Sequence, residues 1–162
     1  MTIQELFKQG LDRDIPVLMN FPAGVHLNLG CGNKIIPDSA GLQLPEWDAE
    51  TDQIPYPDES ITGIYCYHFL EHINNLVFVL CEMERVLKYG GVINIVTPYY
   101  SSQCQWQDID HKRAFCEETW RNIFKDPYYE KGFWKLDVHA CFIMGVVERN
   151  ICLFTQLVKA VR

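Results

Sequence analysis

The sequence predicts an α/β domain built on a mostly parallel sheet with shortened early crossovers. Three stretches carry that expectation. Val25 to Leu29 is an apolar, β-leaning run that stops at Gly30-Cys31-Gly32. Leu76, Val79, Leu80, Met83 and Leu87 recur at helical spacing, and Val92 to Val96 follows as a nearly unbroken apolar run, as in a strand buried on both faces. Strand, helix, strand in that order is the repeating unit of a parallel sheet.

Size and composition bound the rest. A chain of 162 residues fits a single domain, residues 1–162, that buries roughly two thirds of its unfolded surface. With 48% hydrophobic and 13% aromatic residues it reads as a folded globule. No apolar run reaches the ~18 to 20 residues that span a bilayer, and MTIQELFKQG lacks the basic and apolar regions of a signal peptide, so a soluble, cytoplasmic protein without a membrane partner is expected. The seven cysteines form no C-x-x-C pair, which favours reduced thiols over a zinc cluster or disulfides. A net charge of −7 disfavours a nucleic-acid partner, since that affinity comes mostly from Lys and Arg; only Lys112 with Arg113 forms a local basic pair.

Along the chain, Ile3, Leu6, Phe7 and Leu11 have helical spacing with Thr2 as cap, and Pro16 and Pro22 bracket a link, so residues 1–22 read as a covering element. Gly30 and Gly32 carry no Cβ and allow bare backbone to approach a ligand. The third glycine of G-x-G-x-x-G would fall at Ile35, which disfavours a pyrophosphate. A second strand is expected around Gly41-Leu42-Gln43-Leu44, too soon after the turn for a full crossover helix. Glu46 to Ser60 is proline-punctuated and polar, a loop with one short strand.

Ile61 to Tyr67 alternates as a further strand. The helix from Leu76 has Asn75 as cap and Lys88 and Gly90 at its end, and Thr97-Pro98-Tyr99-Tyr100 leaves the sheet. Residues 101–133 form a lid or substrate segment in which Trp106, Phe115 and Trp120 are expected to pack. For residues 134–162 two readings compete. Val147, Ile151, Phe154, Val158 and Val161 share a helical face, whereas an antiparallel hairpin turning at Glu148-Arg149-Asn150 is favoured.

The blocks LNLGCGN, HFLEHI and RVLKYGG resemble the class I S-adenosylmethionine-dependent methyltransferases, in particular the small methyltransferase type 11 group, with Tyr89 where the family's KPGG turn has proline. The resemblance runs from Val25 to Pro98, with an echo at Asp110 to Trp120. It implies a Rossmann-like sheet ending in an antiparallel hairpin, a cofactor-binding core over residues 25–100, and S-adenosyl-L-methionine as cofactor. The implied cofactor contacts are Asn28, Gly30, Cys31, Gly32, Gln43, Leu44, Asp48, Ala49, Tyr67 and His68. In the family an acidic residue ending the second strand takes the ribose hydroxyls. Gln43 stands at that position, and a neutral acceptor should weaken binding by about tenfold unless Glu46 or Asp48 takes over.

The segment DIDHKRAF resembles the family's DPTHxxFF, with Asp110 beside His111. A carboxylate next to an imidazole raises its basicity, which makes His111 the first candidate for a general base and His68 the second. Methyl transfer from a sulfonium needs mainly alignment and a dry pocket. The expected activity is transfer to an O or N acceptor, a small molecule or exposed group, with no metal. Two alternatives remain. One is a non-catalytic cofactor-binding partner subunit. The other is a zinc hydrolase, because HFLEH matches H-x-x-E-H, with His68 and His72 as ligands and Glu71 activating water.

Overall fold

The computed structural model describes residues 23–33, 36–124, 134–144 and 151–160. The predicted N-terminal helix lies outside them. In chain order the elements are β1 (His26–Leu29), β2 (Ser39–Leu42), β3 (Ile61–Tyr67), a single 3-10 turn (Leu70–His72), α1 (Leu76–Val86), β4 (Leu87–Pro98), short helices α2 (Gln103–Gln107) and α3 (Glu117–Ile123), then β5 (Leu136–Met144) and β6 (Cys152–Lys159). The six strands form one sheet in the order β2-β1-β3-β4-β6-β5. The first four pair in parallel, and β6 runs antiparallel to both β4 and β5. This is the predicted fold class, abbreviated early crossovers and terminal hairpin included. Among the described residues no helix joins β1 to β2 or β2 to β3.

Burial follows from the pattern of each strand. Leu27 and Leu29 of β1, Ile64 and Cys66 of β3 and Ile93 and Ile95 of β4 are fully covered, and Leu76, Val79, Leu80 and Met83 bring one face of α1 onto them. Covering each such aliphatic side chain stabilises by about 1.5–3 kcal/mol. Asn75 caps α1 through its side-chain oxygen, which accepts the Phe78 N–H at 3.4 Å. Glu50 adds to the cap by accepting the Asn74 and Asn75 backbone N–H groups at 2.6 and 2.8 Å.

Two boundaries differ from expectation. The helix ends at Val86 because Leu87 is already extended, and the KYGG segment lies inside β4 as a bulge instead of a turn. Pairing jumps from Ile61 opposite Leu87 to Gly63 opposite Val92, and Gly90, at φ +76°, takes the left-handed conformation that the extra residues require. At its other end β4 keeps Thr97 and Pro98, opposite Leu153 and Cys152, so the chain leaves the sheet at Tyr99. The helical reading of the C-terminus falls, because β6 is buried along most of its length and its apolar residues therefore do not alternate.

The loop after β2 has no strand, yet Trp47, Ala49 and Ile54 anchor it in the core. An ionic cluster fixes its end. Glu82 accepts Arg85 Nε and Nη2 at 2.9 and 2.7 Å and the Ile54 N–H at 2.9 Å. Arg85 also donates to the Tyr56 and Ile54 carbonyls and to Asp58. All seven cysteines are free thiols. Among the described residues no helix is long and apolar enough to cross a membrane.

Candidate functional site

The sheet's register assembles the predicted cofactor residues. Leu29 of β1 lies opposite Leu42 of β2 and Cys66 of β3, so Gly30, Gln43 and Tyr67, the next residue of each, emerge abreast at the carboxyl edge. β1 lies between β2 and β3 in the sheet, so the chain leaves it to one side and returns to the other. Such a reversal is where open α/β sheets hold ligands.

The two glycines there serve different ends. Gly30 has φ +65°, and a Cβ on it would run into the Phe69 ring, so that side of it is filled by protein while the residue stays partly exposed. That corrects the expectation of two bare glycines. Gly32 has φ +51°, and among the described residues a Cβ there would meet nothing within 4 Å. Phe69 in turn packs against Trp47, with ring centroids 6.2 Å apart, and ties the first turn to the loop after β2. The Cys31 thiol occupies the place that a side chain on Gly41 would need.

β2 ends at Leu42, so Gln43 follows the strand instead of ending it, and its carbonyl accepts the Trp47 N–H at 3.0 Å. Leu44 is exposed. Asp48 Oδ1 accepts the Glu50 N–H at 2.9 Å, which spends part of that carboxylate on its own turn, while Ala49 is buried in the core. Asn28 is buried within β1. Tyr67 has a buried hydroxyl without a hydrogen-bond partner, and burial pushes its phenol far up. An open glycine turn in register with an orphaned hydroxyl fits a small ligand with hydrogen-bonding groups.

His68 follows directly, with φ +51°, a conformation uncommon for any residue but glycine. Its ring is half exposed, with Nδ1 3.3 Å from Glu71 Oε1 and Nε2 4.0 Å from Cys152 Sγ. Partial burial opposes the ring's charge, but the Cys152 thiol and the Glu71 carboxylate outweigh it and push the imidazole up to about 10. At neutral pH His68 then holds its proton and is not placed to take another.

His111 comes from the segment beyond α2. Its Nδ1 lies 2.8 Å from the Gln105 carbonyl, which as acceptor fixes the proton on Nδ1 and leaves the lone pair on Nε2. The predicted pairing with Asp110 needs correction. The carboxylate near the ring is that of Asp108, whose Oδ2 is 3.8 Å from Nε2, whereas Asp110 is exposed and gives its N–H to Asp108 Oδ1. The His111 ring meets His72 edge to face at 4.8 Å. Main-chain ties hold this segment in place: Lys112 N–H donates to Glu71 O at 2.7 Å, and Arg113 donates to Ile73 O and Asn74 O at 3.1 and 2.7 Å. Phe115 and Trp120 stack in the core as expected, but Trp106 is 70% exposed and does not pack there.

The ligand pair on which the zinc-hydrolase alternative rests, His68 with His72, is not formed. HFLEH forms one 3-10 turn from Leu70, with His68 outside it, so His68 and His72 are not stacked one helical turn apart. The donors that converge are Glu71, His72 and His111, whose ligand atoms lie within 4.8 Å of one another. Glu71, read from the sequence only as part of that motif, is fully buried; apart from the His68 ring nitrogen near Oε1, neither of its carboxylate oxygens has a hydrogen-bond partner among the described residues. A separate cavity of about 620 Å³ between α3 and β5 is lined by none of the predicted site residues.

Among families, one described as a methyltransferase domain matches residues 32–95. No curated protein matches the chain. Several solved structures share its fold. One is from the complex between the Haloferax volcanii Trm112 methyltransferase activator and a methyltransferase, at TM-score 0.66 and 13% identity over 97% of this chain and 93% of that one. A SAM-dependent methyltransferase from Archaeoglobus fulgidus follows at 0.61 and 19% over 94% of each chain, and one from Aquifex aeolicus at 0.61 and 15% over 96% and 92%. At these identities the likeness shows the fold.

Proposed function

We propose that this chain is a class I S-adenosylmethionine-dependent methyltransferase, a reading that the domain match and the fold support, and that the carboxyl edge of β1, β2 and β3 would seat the cofactor for methyl transfer to an O or N acceptor. The observation that carries this reading is that the turn starting at Gly30, abreast of Gln43 and Tyr67, leads to a left-handed Gly32 that is open among the described residues, while the buried Tyr67 hydroxyl has no hydrogen-bond partner there. When bound, S-adenosylmethionine supplies a methyl group already activated by its sulfonium.

The chain's own residues then have mostly positional work. Backbone at Gly32, the oxygen acceptors of Gln43 and exposed Glu46, and Tyr67 and His68 at the end of β3 would hold the cofactor, with Gln43 or Glu46 available to accept from its ribose hydroxyls. His68 supplies a fixed positive charge and a donor. For a protonated acceptor, His111 Nε2 is the available base, positioned by the Gln105 carbonyl. Isothermal calorimetry with S-adenosylhomocysteine tests the site: one equivalent should bind, and Gln43→Asp should tighten binding by about tenfold by restoring a charged acceptor. No heat at millimolar ligand would remove the reading.

A second reading is a subunit whose activity depends on a partner. It is supported by the Haloferax volcanii neighbour, whose structure is a complex with a methyltransferase activator. Tight binding without turnover of any acceptor by the isolated chain would favour it.

A further inference from the structure

We propose that Glu71, His72 and His111 form a binding site for a divalent transition-metal ion, a function that goes beyond methyl transfer and does not depend on it. Their ligand atoms all lie within 4.8 Å of one another. An ion with bonds of about 2.0–2.2 Å holds its donors roughly 3 to 3.5 Å apart, a distance that small side-chain rotations reach from here.

The independent observation is Glu71. Its side chain is fully buried, and neither oxygen accepts a hydrogen bond. Oε1 has only the His68 ring nitrogen at 3.3 Å. This carboxylate, withdrawn from water, has one imidazolium near Oε1 and no hydrogen bond to either oxygen among the described residues, so it keeps capacity for a cation held at the two imidazoles of His72 and His111.

The histidines are prepared in the way ligands are. The Nδ1–H of His111 is spent on the Gln105 carbonyl at 2.8 Å, which orients the ring and presents Nε2. Metal-ligating histidines are regularly held by such a bond from the other ring nitrogen. The two halves of the site come from separate segments, and Lys112 N–H to Glu71 O at 2.7 Å clamps them together. Asp108, with Oδ2 3.8 Å from His111 Nε2, adds negative charge at the rim.

Two imidazoles and one carboxylate suit ions such as zinc, cobalt, iron or manganese better than magnesium or calcium, which favour all-oxygen sets. Three protein donors leave positions open for water or another oxygen ligand. The ion and the general-base role are exclusive, because both need the Nε2 lone pair of His111.

The test is titration of the chelator-treated full chain with Co²⁺ alone. One equivalent should bind with visible ligand-field bands and without the near-ultraviolet charge-transfer band of a thiolate. His72→Gln and His111→Gln should each weaken binding by more than about 100-fold, while Glu118→Gln, at an exposed position of α3, binds as the parent does. In the unmutated chain the imidazole resonances of His72 and His111 should broaden first on adding Mn²⁺, a readout that needs no variant to fold. Absence of saturable binding, a sulfur charge-transfer band, or unchanged affinity in both histidine variants would each overturn the site.

Discussion

Two buried carboxylates of this protein, Glu82 and Glu71, meet their burial in opposite ways. Glu82, on α1, is 7% exposed, and its oxygens accept three hydrogen bonds, two from one guanidinium and one from the Ile54 main chain. Glu71, at the edge of the candidate site, is 0% exposed and accepts none. A closed cluster of the first kind anchors a loop and has no capacity left for a ligand. An open one of the second kind is poorly accounted for by folding alone, and unsatisfied buried groups of that sort concentrate where proteins bind things.

The contrast breaks most visibly at Arg85. Arg85→Ala leaves the Glu82 carboxylate buried without its partner and frees the loop around Ile54 and Tyr56, so unfolding by urea should show a loss of about 3–5 kcal/mol. A loss below about 1 kcal/mol would mean that the cluster is no anchor. Glu71→Gln, equally buried, removes the charge facing His68 and should bring that imidazole down toward its ordinary value in an NMR titration, while costing metal-free protein clearly less than Arg85→Ala does, because no hydrogen bond to either oxygen is lost. If it cost as much as Arg85→Ala, Glu71 would belong with Glu82.

The smallest effect sharpens the same comparison at a more exposed carboxylate. Partial desolvation opposes ionisation of Glu50, but the N–H groups of Asn74 and Asn75 and the Asn74 side chain outweigh it and hold the acid below its usual value of 4.5. A lowered folded value means that stability from this cap is fully present above about pH 4.5 and fades as pH falls through the lowered value. Glu50→Gln should therefore flatten the acid limb of a thermal-melt series while leaving the melt at pH 7 within about 1 kcal/mol.

Much of the architecture was legible because strands and helix declare their periods. Ile61–Tyr67, the α1 stripe and Val92–Val96 appear where alternation, helical spacing and a continuous apolar run place them. The C-terminal segment was ambiguous for a physical reason: β6, covered by β4 and β5 at its edges and buried along its faces, keeps no polar alternation, and its apolar residues fall by coincidence on a helical face. At the site, the glycine turn and the histidines could be read. What stands against them could not, since neither the Phe69 ring on Gly30 nor the choice of Asp108 over Asp110 leaves a local pattern. Trp106 misled because its indole N–H bonds the Tyr100 carbonyl at 2.9 Å from the surface, an arrangement that composition does not reveal.

The stitches between residues 112–113 and 71–74 carry a mechanical consequence. A peptide flap free to swing would be joined to the body only at its ends, but this one is sewn along its middle by Lys112 and Arg113 to the carbonyls of Glu71, Ile73 and Asn74. Peeling it back would snap those bonds together and carry one imidazole away from the other and from the acid beneath. Entry to the crevice by lifting this strap would therefore dismantle the donor triad, so a guest that needs the triad intact has to arrive with the strap in place.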